Sequence, residues 1–295
     1  VPSAARRWPL LAGFVAREAA FADRFTARGP AALALYEFVR FGLKEGWACL
    51  FGAVILALLL GTHLWWPTHA IARYDALTLA AVLVQILMLR FGLETWEEAK
   101  VILLFHITGT VMELFKTSAG SWIYPEPSLL HIGGVPLFTG FMYASVGSYI
   151  ARCWRLFDFR FTRHPPLAAT VALCVVIYAN FFTHHWLPDI RWALFVAAAL
   201  LFGRTRIHFR IWRQWRSMPL LLGLVLVAVF IWLAENIGTF AGAWVYPSQI
   251  HGWSPVGPAK LGAWFLLMLI SYVMVTVINR PRPLPDALSL PAAVM

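Results

Sequence analysis

Eight apolar runs, each bounded by a charged or turn-forming interval, follow one another along the chain. Seven are close to the roughly 20 residues that cross the hydrocarbon of a bilayer: 46–66, 75–93, 99–117, 134–156, 166–187, 219–237 and 258–279. The eighth, 189–203, is short, and spans only if the amphipathic "RTRIHFRIW" after it extends it. Ahead of the first run, residues 1–45 mix apolar positions with regularly spaced Arg and Glu. That spacing fits a helix lying at the membrane interface rather than a cleaved signal. The pattern predicts an all-α polytopic membrane protein: an interfacial arm (1–45), two tandem parallel four-helix repeats (46–160 and 161–280) and a tail (281–295).

Composition excludes a water-soluble globule. Of 295 residues 60% are hydrophobic and 13% charged, with 15 tryptophans and a mean hydropathy of +0.70. The net charge of +10 lies in short intervals between apolar runs, not in one basic patch, which argues against a nucleic-acid partner. With eight spans, one side receives the Arg204–Arg216 cluster, Arg152, Arg155, Arg160 and Arg163, while the other receives only Arg73, Lys116, Arg191 and Lys260. Basic residues collect on the cytoplasmic side, so both termini are expected there. Cys49, Cys153 and Cys174 fall inside apolar runs without metal-ligand spacing and read as packing residues.

The chain repeats itself. "ELFKTSAGSWIYP" (113–125) and "ENIGTFAGAWVYP" (235–247) share Glu-x-x-x-Thr-x-Ala-Gly-x-Trp-x-Tyr-Pro at an offset of 122, and "THLWWP" and "THHWLP" share Thr-His-x-Trp-x-Pro at 121. Four spans per half is an even number, so both halves enter the membrane in the same sense, related by an axis along its normal. His63, His184, Glu113 and Glu235 then lie at one, extracytoplasmic, side.

Ionisable residues within spans are costly and mark candidate sites. Glu113 and Thr117, like Glu235 and Thr239, share a helix face at i, i+4. Lys116 stands one turn from Glu113, where it would hold that carboxylate anionic; Gly238 is its counterpart, and Asn236 replaces Leu114. The polar maximum of the second half is Tyr178, Asn180, Thr183, His184, His185, Asp189 and Arg191. His63, His184, Glu113 and Glu235 contain the donor types of a mixed metal site, but the His spacings of membrane di-iron enzymes are lacking and no metal is expected. No P-loop, dinucleotide glycine fingerprint, Gly-x-Ser-x-Gly nucleophile or Cys-x-x-Cys is present, so no cofactor is expected either.

The segments "ELFKT", "GSWIYPEP", "GGVPLFTGFMYASVGSY", "NFFTHHW", "DIR" and "AENIGTFAGAWVYP" resemble the YoaT-like family of uncharacterised bacterial integral membrane proteins, over roughly residues 40–280. The resemblance implies a bacterial inner membrane and supplies no activity. A more remote pattern, Glu113 with Trp122, Tyr124 and Pro136, and Glu235 with Trp244, Tyr246 and Pro258, is similar to carotenoid hydratases and membrane lycopene cyclases, though the cyclases' Pro-x-Glu-Glu is missing. It implies acid–base chemistry on a lipophilic, isoprenoid-like substrate. In that reading Glu235 donates the proton, Glu113 stabilises charge, and His184, His185 and Lys116 assist. Trp122, Tyr124, Trp244, Tyr246, Asn180, Asn236, Thr117 and Thr239 would hold the substrate. The alternatives are a proton-coupled transporter or lipid-binding protein, and a scaffold in which the motif only packs helices. Membrane lipid or a lipophilic small molecule is the expected partner.

Overall fold

The computed structural model describes residues 9–66 and 70–285. Ten helices are present among them: α1 Pro9–Thr26, α2 Pro30–Ala48, α3 Leu50–Leu64, α4 Arg73–Arg90, α5 Trp96–Ser118, α6 Phe138–Phe157, α7 Leu167–Thr183, α8 Arg191–Phe202, α9 Leu220–Phe240 and α10 Lys260–Ile278. Each apolar run thus contains a helix. By length and composition α5, α9 and α10 qualify as membrane spans, α2 and α3 make a fourth if their 63° bend is one broken span, and α7 and α8 are shorter apolar helices. Large apolar side chains face outward along these helices, Leu200 81% and Phe230 71% exposed, with Leu83 and Val196 alike. An apolar exterior of this extent is a membrane-facing surface, and the chain is a multi-pass membrane protein.

Local chemistry sets the helix ends. A capping box starts α5: the Thr95 hydroxyl accepts from the Glu98 amide while the Glu98 carboxylate accepts from the Thr95 amide. The ends of α5 and α9 are built alike. Gly120 (φ 70°) and Gly242 (φ 65°) take the left-handed conformation just beyond them. The Ser121 amide returns to the Lys116 carbonyl at 2.9 Å and the Ala243 amide to the Gly238 carbonyl at 3.0 Å. This closure requires positive φ, which glycine reaches without steric cost.

Three expectations need correction. The first apolar run is not one helix: the chain bends at Cys49, so residues 46–48 finish α2 and the rest of the run forms α3. The arm 1–45 is accordingly two helices, α1 and α2, separated by Gly29 at φ 135°; residues 1–8 lie outside the described residues. "RTRIHFRIW" is not a helical extension of α8. It supplies strand β4 (Arg206–Arg210), paired antiparallel with β3 (Arg160–Thr162) and with β5 (Trp215–Pro219). The reason is its period of two: Ile207 and Ile211 are buried while Arg206 and Arg210 are exposed. A two-residue ladder, β1 (His131–Ile132) with β2 (Val135–Pro136), adds a second sheet, so the fold is mostly rather than wholly helical. Of the tail, Pro283 bridges to Phe161 and residues 286–295 lie outside the described residues.

The core joins the two stretches of chain that carry the glutamate motifs. Along with α5–α6 and α9–α10 neighbours, α3 meets α9 and α6 meets α10, while Phe115 of α5 stacks edge-on against Phe182 of α7, centroids 4.5 Å apart.

Candidate functional site

Glu113 lies in the penultimate turn of α5 and is 2% exposed. Beyond the glycine turn the chain runs extended, so Trp122 and Tyr124, two residues apart, point to the same side and back at the helix they have just left. The Trp122 indole N–H donates to Glu113 Oε2 at 2.7 Å and the Tyr124 hydroxyl to the same oxygen. A third donor, the Tyr143 hydroxyl of α6, reaches Oε1 at 2.5 Å. Gly109, one turn before Glu113, makes room for it: a Cβ there would sit 2.6 Å from the Tyr143 ring.

The second copy is similar and not identical. Glu235 is 3% exposed, and its oxygens accept from the Tyr246 hydroxyl at 2.5 Å and the Trp264 indole at 2.6 Å. Burial first, then the adjacent carboxylates, push the Tyr124 and Tyr246 phenols well above their ordinary range, so both stay hydrogen-bond donors.

The two copies meet. Ile123 and Val245, equivalent positions of the repeat, exchange both backbone hydrogen bonds at 3.0 and 2.9 Å. Trp122, bound to Glu113, sets its ring edge-on against Tyr246, bound to Glu235, centroids 6.0 Å apart. Lys260 lies 4.3 Å over the Tyr246 ring and 6.0 Å from that of Trp122. Below this junction is a small cavity of ≈ 40 Å³ among α5, α6, α7, α9 and α10, its walls including Phe105, Met112, Tyr143, Tyr178, Ile231 and Trp264. That volume is roughly what one methylene or water needs. The glutamates do not line it; one donor to each of them does.

Other sequence-derived candidates sit elsewhere. Lys116 does not pair with Glu113: its Nζ is 3.1 Å from His185 Nε2 and 4.0 Å over the Phe181 ring. The reason is rotational, since three residues along a helix turn the side chain about 60° off the glutamate's direction. His184 turns to the Asn180 carbonyl and His63 packs on Phe240, so neither stands at the carboxylates. Among the described residues no three His, Cys, Asp or Glu side chains are grouped to hold a metal. Asn180 ties Asp189 and the Ile190 amide, and Asn236 the Trp232 carbonyl and Val256 amide; both close loops. Thr239 accepts from Trp253, the Thr117 hydroxyl is buried without a partner, and the Trp244 ring fills the space that a Cβ on Gly238 would occupy.

Tyr143, Trp264 and Lys260 were not singled out by the repeat, because the counterparts of the two aromatic donors are Phe265 and Met142. The halves satisfy their glutamates from non-equivalent positions. A second polar centre also went unmarked: Glu94 and Arg152, both side chains fully buried, pair at 2.7 Å. The Ser148 hydroxyl and the Gln85 amide also donate to the Glu94 carboxylate.

His185 gives this region a pH dependence. Partial desolvation first, then the Lys116 and His184 charges, hold this largely exposed imidazole below the ordinary 6.5. The fold therefore prefers neutral His185, which accepts from the Lys116 ammonium. Its contribution to stability is fully present above pH 6.5 and is lost as pH falls through the depressed folded value. Unfolding curves from pH 8 to 5 should show this loss in the wild type and a flatter profile in His185→Gln; identical profiles would remove His185 as the cause.

The sequence matches the family described as "Protein of unknown function (DUF817)" over residues 37–272. "Uncharacterized protein YoaT" of Bacillus subtilis (strain 168) is 44% identical over 249 residues, 84% of this chain and 94% of the relative. Crystal structures of a mycobacterial Insig homolog from Mycobacterium vanbaalenii, one a cross-linked trimer, cover 64% of this chain and 98% of their own, at 14% identity and a TM-score of 0.46. Since the family match spans both glutamate motifs and most of the helices around them, this chain belongs to the DUF817 family, proteins of unknown function.

Proposed function

We propose that the protein is an eight-span protein of the bacterial inner membrane, built as two tandem parallel four-helix units, that holds a lipophilic small molecule in the cleft between them. The observation that carries this reading is that Tyr143 and Trp264, which bind Glu113 and Glu235 respectively, are walls of one apolar cavity. Ligand sites are mostly apolar with a few placed polar groups, and here those groups are held in position by two buried carboxylates. A cavity of ≈ 40 Å³ suits the end of a slim apolar chain better than a fused ring.

The parallel arrangement is supported by the mutual Ile123–Val245 pairing and by the α3–α9, α5–α7 and α6–α10 contacts, which are what a two-fold axis along the membrane normal would generate. Protonation of an isoprenoid-like substrate would need a carboxyl group within hydrogen-bond reach of the reacting atom. Tyr143 and Trp264 stand between the carboxylates and the cavity, so the geometry favours holding a molecule over protonating it. The same donors screen the glutamates from the proton exchange that a coupled transporter requires.

Ser271 lines the cleft, and Ser271→Phe should fill it. Mass spectrometry of organic extracts should find a lipophilic species with the purified wild type and little with this variant. Equal amounts in both, or none above the detergent blank, would contradict the reading. For orientation, both termini are placed in the cytoplasm. A cysteine at exposed position 248 (Ser248→Cys, native cysteines replaced) should react with an impermeant maleimide in intact cells; reaction only after permeabilisation would invert the topology.

A further inference from the structure

The four cations on the sparsely charged side of the membrane are not scattered. Arg73 donates to Glu126 and to the Ala241 and Gly242 carbonyls, and so ties the halves together. The other three, Lys116, Arg191 and Lys260, lie within electrostatic reach of one another.

Their placement follows from the helices that wall the cavity. On α5 the wall residues Thr108 and Met112 continue, four residues on, to Lys116; on α10 Ser271, Leu267 and Trp264 continue to Lys260. Residues four apart share a helix face, so both lysines leave their helices one turn beyond the cavity wall, and Lys116 reaches from there to His185. On α7, Tyr178 is a wall residue, and two turns beyond it comes His185, in contact with Lys116. The acceptors nearby are already committed. Glu113 takes three donors and Glu235 two, all from aromatic side chains. Asp189 is held by Arg191 at 2.6 Å and by Asn180. Lys116 is 3% exposed yet has an imidazole, not an anion, as its hydrogen-bond partner. Glu235 attracts Lys260 and Asp189 attracts Lys116 at a distance, but neither carboxylate forms an ion pair with a lysine, and gathering like charges in apolar surroundings without a directly paired anion is costly.

We infer that Lys116, Lys260 and His185 form the head-group subsite of the cleft, taking the phosphate of an anionic lipid whose acyl chain enters between α5 and α10. This rests on the lipophilic-ligand reading and adds the ligand's class: an anionic phospholipid with its phosphate at the lysines and one of its acyl chains in the cleft, approached from the extracytoplasmic leaflet. Arg191, already paired with Asp189, lends field rather than a direct contact.

The test uses full-length protein in nanodiscs of equal phosphatidylglycerol and phosphatidylcholine, with native mass spectrometry after detergent stripping. Wild type should retain phosphatidylglycerol preferentially, and Lys116→Gln/Lys260→Gln should lose that preference by at least about tenfold, as expected for two charge-assisted contacts. Lys100→Gln, which removes an exposed lysine paired to Glu97, should change nothing. If the double glutamine variant does not fold, Lys116→Arg/Lys260→Arg decides, since it must keep the preference. Equal retention of phosphatidylcholine, or no effect of the lysine substitutions, would overturn the head-group assignment. Inorganic phosphate alone should leave the unfolding temperature unchanged; a rise matching that with phosphatidylglycerol would assign the site to free phosphate and overturn the lipid. Loss of lipid in Ser271→Phe but not in the lysine variants would leave the cleft reading standing and remove only this one.

Discussion

Replacing Glu113 by leucine should destabilise the protein by roughly 3–5 kcal/mol, because it orphans three buried donors at once. The Trp122 N–H cannot turn into an acceptor, and the Tyr124 and Tyr143 hydroxyls are held by the glycine turn and by the packing against Gly109. Glu113→Gln should cost much less. Its carbonyl oxygen can face Trp122 and Tyr124 while its amide donates to Tyr143, whose hydroxyl accepts as readily as it donates. Reversible unfolding in mixed micelles separates the two variants. A leucine variant as stable as the glutamine one would mean that the three hydrogen bonds do not hold the loop.

Arg152→Leu should be comparably damaging, about 3–5 kcal/mol, since removing one member of a buried pair leaves the other charged and unpaired. Arg152 also donates to the Trp47 carbonyl at 3.0 Å, which links the end of α2 to α6. Adding Glu94→Gln should restore part of the loss by removing the stranded carboxylate, although the Trp47 contact stays broken. If the double variant is no more stable than Arg152→Leu, the charge pair is not the source of the effect.

How much of this was legible in the sequence follows from what each signal encodes. Apolar runs set helix positions, and glycine, tryptophan, tyrosine and proline at a fixed offset marked both loops that return to the glutamates. The mutual pairing of Ile123 and Val245 rests on those same residues. Hydropathy read at twenty-residue resolution could not show the bend at Cys49. Nor did it resolve the β4–β5 hairpin, whose signal is an alternation over only five or six residues. The site was half legible. Glu113, Trp122, Tyr124, Glu235 and Tyr246 come together, because each motif carries its acceptor and its tyrosine donor on one local segment. Tyr143 and Trp264 arrive from other helices at positions that the repeat does not conserve between halves, and side-chain direction, not spacing, sent Lys116 toward His185. The Glu94–Arg152 pair is long-range in sequence and joins the turn between α4 and α5 to α6, so no local pattern announces it.

On the proposed reading a lipid chain occupies the space between α5 and α10, walled by Tyr143 and Trp264, which tie down the two glutamates. Photo-crosslinking measures this directly: the protein is reconstituted with phosphatidylglycerol carrying a diazirine at its acyl terminus, irradiated, and the adducts mapped by peptide sequencing. Labels are expected on the cavity wall, at Met112, Tyr143, Leu267, Met268 and Met274, and should be reduced in Ser271→Phe. Labels confined to the outward faces, at Leu83, Val196, Leu200 and Phe230, would show that lipid only surrounds the helices, and would contradict it.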